Sequence, residues 1–258
     1  MLTPGLTSIT FRQLSSADIV KLAVDSDIRA IEWGSDIHVP IGDLKNAQYV
    51  RNMCADAGVT ICSYGTYCNL EDAVDFQDLF MTAKALGTKT LRIWAGKLPS
   101  ESADDSYKNK IVNNATIMAE QAAEYGLQLG FEFHRNTLTD SAEAAIWLLK
   151  QIAKNNVSTY WQPRIGAPLS ENLKDIELLE PYLSNIHVFY WSSDASVRYL
   201  LKEGQQDWER YFCSLNNDKK NRYCLIEFVK DDQVKNFTED GLTLNQLMKK
   251  FYIPQNCE

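Results

Sequence analysis

The chain has 258 residues, 45% of them hydrophobic and 23% charged, an ordinary globular composition with enough apolar material for a substantial core. Its formal net charge of −8, with no Lys/Arg-rich run, excludes nucleic acid as an expected partner; Asp218, Lys219, Lys220 and Arg222 are too mixed and too short to form a basic patch. No apolar run reaches the length of a membrane span, and the N-terminus lacks the basic-then-apolar pattern of a secretory signal, so a cytoplasmic setting without a membrane partner is expected.

In chain order, candidate strands fall near 6 to 10, 29 to 33, 59 to 64, 89 to 94, 127 to 133, 157 to 161, 184 to 190 and 222 to 228. Helical patterns lie between them at 44 to 57, 71 to 86, 107 to 125, 140 to 153, 171 to 180 and 233 to 250. One grammar recurs in DAGVTICSYG, ALGTKTLRIW and EYGLQLGFEF: an apolar-periodic segment ends in a glycine and a short apolar run follows at once. Gly58, Gly87 and Gly126 therefore read as helix stops with strands behind them. Ser15 with Asp18, and Asp140 with Glu143, read as caps before amphipathic runs. The stretch 192 to 206 breaks the rhythm and reads as a loop before a shorter helix from about Asp207, while Asp231 and Asp232 read as a solvated helix start.

A β/α unit thus repeats roughly every thirty residues, and no linker or composition shift divides the chain. Eight such units predict an α/β fold, a single (β/α)8 TIM barrel over residues 1–258. An open doubly wound sheet would need a glycine-rich phosphate turn after its first strand, where this chain has FRQLSSAD. The six cysteines, Cys54, Cys62, Cys68, Cys213, Cys224 and Cys257, form no CxxC pair and are read mostly as small buried hydrophobes.

In such a barrel, chemistry gathers at the C-terminal ends of the strands. GFEFHRN, residues 130 to 136, carries Glu132 and His134 on the face opposite Phe131 and Phe133. Other strand ends supply Glu32 and, just beyond, His38; Arg92 and Trp94; Tyr160 and Gln162; His187 with Trp191 after it; and Glu227. Alternation turns His187 and Glu227 inward, so Glu132, His187 and Glu227 converge. With the amide of Gln162 they form an oxygen-rich set suited to a divalent metal, Mn2+ foremost, with Mg2+, Co2+ or Zn2+ as alternatives. A cation would compensate two buried carboxylates.

These motifs carry a resemblance. GFEFHRN, YWQPR, NIHVFYW and LIEFV resemble, within a pattern that extends over nearly the full chain, the xylose isomerase-like TIM barrels, which include sugar-phosphate isomerases, ketose 3-epimerases and apurinic-site endonucleases. The resemblance implies a divalent metal held by a Glu, an Asp, a His and a second Glu, with the two glutamates also moving protons. It casts Glu132, Gln162, His187 and Glu227 as the ligands. Where the family usually has Asp, often followed three residues later by His, this chain has Gln162 and Ile165, and a neutral amide would hold the ion more weakly or shift which ion the site prefers.

The expected function is metal-dependent isomerisation or epimerisation of a small sugar, sugar phosphate or polyol derivative. One carboxylate removes a proton next to a carbonyl, the cation offsets the enediolate charge and the second carboxylate returns a proton. Glu132, Glu227 and His134 are the catalytic candidates; Glu32, His38, Arg92, Trp94, Trp191 and Arg198 are the substrate-facing ones, Arg92 for an anionic substituent. A metal-independent glycoside hydrolase and a non-catalytic sugar-binding barrel are the alternatives, and a homo-oligomer is allowed.

Overall fold

The structure, a computed structural model, describes residues 1–72 and 75–252. Strands β1 (Leu2–Thr7), β2 (Ala30–Gly34), β3 (Thr60–Gly65), β4 (Thr90–Ile93), β5 (Gln128–Phe131), β6 (Val157–Trp161), β7 (Leu183–Val188) and β8 (Arg222–Ile226) are parallel and close into a barrel in chain order. Closure is the pairing of β1 with β8, which runs from Leu2 opposite Arg222 to Leu6 opposite Ile226. Helices α1 (Ser16–Asp25), α2 (Leu44–Asp56), α3 (Gln77–Leu86), α4 (Asp105–Glu124), α5 (Ala142–Ile152), α6 (Leu169–Leu179), α7 (Gln205–Leu215) and α8 (Val234–Tyr252) follow the strands in turn. This is the (β/α)8 TIM barrel read from the repeat.

The local signals act as their chemistry dictates. Gly87 ends α3 at φ 86, a left-handed conformation that costs a side chain, and its N–H returns to the Ala83 carbonyl at 2.9 Å before β4 begins. Ser15 caps α1 by accepting the Asp18 N–H at 3.2 Å. The main core lies between the outward strand faces and the helices, with Trp33, Phe80, Phe131, Trp161 and Phe212 fully buried. A second, smaller cluster of Ala30, Cys62, Tyr160 and Leu225 fills the barrel interior. Cys54, Cys62 and Cys224 are buried thiols whose pKa burial raises, to about 11 for Cys54; Cys257 lies outside the described residues.

Several boundaries differ from the sequence reading. β1 begins at Leu2 rather than near residue 6, because Pro4 and Gly5, ordinarily strand breakers, belong to it. A Cβ on Gly5 would meet Leu225 Cδ2 at 2.5 Å and the Ala30 carbonyl at 3.0 Å, so glycine is what lets β1 close the barrel. Residues Ser8–Phe11 instead form a 3-10 turn, whose Ser8 hydroxyl accepts the Gly34 N–H at 2.9 Å. The cap of α5 is Ser141, accepting from the Ala144 N–H, while Asp140 accepts the Ser100 N–H at 2.8 Å and ties two rim loops together. α3 starts at Gln77, and residues 73 and 74 of the predicted helix lie outside the described residues. Asp231 and Asp232 lie in a 3-10 turn, both left-handed, before α8 starts at Val234. No described helix is long and apolar enough to cross a membrane.

Candidate active site

Three of the predicted ligands follow their strands directly, where a side chain leaves the sheet and enters the mouth. Glu132 follows β5 and its N–H still donates to Ile93 at 2.9 Å; Glu227 follows β8 and donates to Val188 at 3.0 Å. Gln162 follows β6, and His187 is inside β7 with no exposed surface. Ligand atoms of Glu132, His187 and Glu227 lie within 4.8 Å of one another, all three residues buried. His187 Nδ1 is 3.1 Å from Gln162 Oε1 and 3.3 Å from Glu227 Oε2, so one nitrogen faces two oxygens.

Arg92 on β4 links this set to the interior. Its Nε donates to Glu32 Oε1 at 2.7 Å and its Nη1 donates to Glu132 Oε2. Glu32 also accepts from Ser63 Oγ at 2.8 Å and from the Tyr160 hydroxyl at 3.0 Å. A Cβ on Gly65 would come within 2.7 Å of Arg92 Nη2 and 2.8 Å of Glu32 Oε1, and neither buried group is free to retreat. Gly65→Ala is therefore expected to cost about 1–3 kcal/mol, read as a lowered midpoint in urea unfolding.

The charges explain the protonation. Burial works against the charged form of Glu32, but Arg92 and His187 outweigh it and hold this carboxyl well below the ordinary range. Burial opposes charge on His187 too, yet Glu227 and Glu32 push its pKa up to about 10, and His187 in turn lowers Glu227. Three carboxylates against one guanidinium leave two negative charges uncompensated whenever the imidazole is neutral, the deficit a single divalent cation fills. The donor set fits such an ion: two carboxylates and an imidazole nitrogen lie within 4.8 Å of one another, the Gln162 amide oxygen is 3.1 Å from His187 Nδ1, and Glu132, Gln162, His187 and Glu227 would hold it.

A cavity of about 810 Å³ opens above, with Arg92, Glu132, His134, Gln162 and Glu227 among its lining groups and Trp94, Phe133, Phe189, Trp191 and Phe228 as aromatic walls. His134 stacks on Trp94 at 4.8 Å and its Nδ1 accepts the Asn136 N–H at 3.4 Å, which leaves Nε2 to carry the proton; burial lowers its pKa. Phe228, next to Glu227, is held left-handed at φ 52, a strained conformation for a bulky residue that sets its ring against Trp191 at 6.2 Å.

Not every predicted residue reaches this cavity. Arg92, Trp94, His134 and Trp191 line it, whereas Glu32, His38 and Arg198 do not. His38 packs on the Trp33 edge and its Nε2 is 3.2 Å from the Leu14 carbonyl. Arg198 pairs with Asp232 and braces Trp191 and Phe228 through ring contacts at 5.4 and 4.9 Å. Tyr160, read at the end of β6, holds Glu32 rather than lining the cavity; Ser63, which also donates to Glu32, and Asn185, which donates to Tyr160, lie short of the strand ends, and their inward phase in the alternation is the available signal. Tyr67, Arg135, Asp140 and Arg164 come from rim loops, whose path no periodicity records.

Residues 20–245 match the family described as the xylose isomerase-like TIM barrel. The chain belongs to that family. A curated relative, the 3-dehydroshikimate dehydratase of Bacillus anthracis, is 24% identical over 195 residues, covering 71% of this chain and 70% of the relative. The crystal structure of the probable 3-DHS dehydratase of Bacillus anthracis superposes with a TM-score of 0.80 at 19% identity, covering 95% of this chain and 99% of that one. D-psicose 3-epimerase from Clostridium cellulolyticum H10 gives a TM-score of 0.72 at 12% identity, covering 96% and 98%. At these identities the structural likeness establishes the fold.

Proposed function

We propose that this chain is a metal-dependent isomerase or epimerase of a small sugar, sugar phosphate or polyol derivative. The observation that carries the reading is the convergence of Glu132 and Glu227, which line one cavity, from distant strands onto the buried His187. One glutamate takes the proton from the carbon next to a substrate carbonyl, and the other returns a proton to that carbon or its neighbour. A divalent cation held by Glu132, Gln162, His187 and Glu227 would polarise the carbonyl. Arg92 fixes the Glu132 carboxylate, His134 offers an Nε2–H to a substrate oxygen, and the walls of Trp94, Trp191 and Phe228 exclude water from the enediolate.

Similarity to the curated 3-dehydroshikimate dehydratase favours dehydration as a second reading. It shares the first step: the same α-proton leaves to a glutamate, but a β-hydroxyl then departs as water, taking a proton from the acid partner, and a conjugated double bond remains. One experiment separates the two. Mn2+-loaded protein is incubated in D2O with free and phosphorylated ketoses and aldoses and with 3-dehydroshikimate, under NMR and ultraviolet detection, with chelated protein as control. Deuterium at the α-carbon together with a new isomer or epimer is the expected result. Chelator-sensitive loss of water with new ultraviolet absorbance would establish the dehydratase instead, and neither signal on any substrate would overturn both readings.

A further inference from the structure

We propose that Glu32 is the positioning residue of this centre: its carboxylate, beneath the cavity and off its lining, receives the Nε2 side of His187 so that Nδ1 is presented to Gln162, Glu227 and the cation. The inference rests on the metal-centre reading of the preceding section.

Glu32 is fixed by donors from three strands: Arg92 Nε at 2.7 Å, Ser63 Oγ at 2.8 Å and the Tyr160 hydroxyl at 3.0 Å. The direction of the last bond follows from its neighbours. The Tyr223 N–H donates to Asn185 Oδ1 at 3.2 Å, which sets that amide, and Asn185 Nδ2 then donates to the Tyr160 oxygen at 3.0 Å. Tyr160 has one proton of its own, and it goes to Glu32. A directed chain thus crosses the barrel from β8 through β7 and β6 to β2 and ends on an acceptor.

His187 supplies the second observation. Its Nδ1 faces the ligand oxygens, while Nε2 has no hydrogen-bond partner among the described residues, and Glu32 Oε1 faces it at 3.8 Å. When Nδ1 gives its lone pair to a cation, the ring proton resides on Nε2, and a buried N–H needs an acceptor. A carboxylate there fixes the tautomer and the ring angle and makes the imidazole a stronger donor. Gln162 adds no charge, so in this chain more of the centre's hold on its ion falls to His187 and to the acid behind it. Through Arg92 Nε the same acid anchors the guanidinium that reaches Glu132, and so orients the neighbours of both reactive carboxylates.

The full chain, stripped by chelation and then titrated with Mn2+ alone by calorimetry, tests the assignment. Glu32→Gln, isosteric but neutral, is expected to weaken Mn2+ binding by about 10–100-fold. Glu32→Asp, which restores the charge, is expected to recover part of that loss. Ser63→Ala, which keeps the charge but removes one of its three donors, is expected to weaken binding less than Glu32→Gln does. Unchanged affinity in a folded Glu32→Gln protein overturns the positioning role and leaves the metal reading standing, whereas a wild-type chain that binds no Mn2+ overturns that reading and the role with it. A measurement on the wild type alone guards against a variant that fails to fold: in the Mg2+-loaded protein, nitrogen-15 NMR should find the His187 proton on Nε2, and a proton on Nδ1 overturns the proposal whatever the variants do.

Discussion

On the proposed chemistry, Glu227→Gln is expected to lower turnover by about 10²–10⁴-fold while the barrel stays folded, because it would remove a proton-transfer group and keep its volume. Glu132→Gln should do the same, and a double variant that kept the wild-type rate would refute the two-glutamate chemistry. Solvent deuterium exchange into the substrate α-carbon reads the step directly, and circular dichroism checks the fold. A second signature belongs to Glu227 alone. In chelated protein, burial disfavours the His187 cation but Glu227 and Glu32 raise its pKa to about 10, against about 6.5 in an unfolded chain. A raised pKa contributes stability that is complete below about 6.5 and is lost as pH climbs through about 10. Removing the Glu227 charge takes away the strongest influence raising it, so the variant's unfolding free energy should fall less steeply between pH 7 and 9 than the wild type's. An identical alkaline slope would show that the His187–Glu227 pair contributes nothing.

Much of the architecture was legible because it rests on local rules. Helix, glycine and strand recur in the chain, and a barrel strand shows alternating faces, so the sequence alone brings Glu132, His187 and Glu227 together. What alternation cannot record is depth. Glu32 and His38 both sit near the end of β2, yet one is locked to Arg92 inside the barrel and the other packs against Trp33. Depth follows from the stagger of neighbouring strands, and that is a property of the closed sheet. The start of β1 at Leu2 is hidden for a related reason: Pro4 and Gly5 break strands in general, but in this chain β1 closes the barrel only where a side chain is missing. Asp140 and Ser141 are both good caps, and choosing between them required knowing that Ser100 from the preceding rim loop claims Asp140.

Arg92→Met should cause the largest loss of stability of any single change at the site, about 3–5 kcal/mol in urea unfolding of chelated protein at pH 7. The methionine fills similar space but leaves Glu32 and Glu132 buried without the guanidinium that both now accept from. The pH dependence separates this electrostatic loss from a packing defect. Burial alone would raise the Glu32 pKa, and in the folded chain Arg92 and His187 lower it instead. A lowered carboxyl contributes stability that is present above its unfolded value of about 4.3 and lost as pH falls through the folded one. The gap between wild type and variant should therefore be widest near neutrality and narrow toward pH 4, where Glu32, buried without its guanidinium, takes up a proton in the variant. A packing defect would keep the gap constant with pH, and that result would mean the guanidinium matters for its shape rather than its charge. Mn2+ offers an independent check, since a cation held beside Glu132 as proposed would replace part of the missing charge: added Mn2+ should stabilise the Arg92→Met protein as well as the wild type, and if the wild type gains while the variant gains nothing, the ion's hold would depend on Arg92's orientation of Glu132.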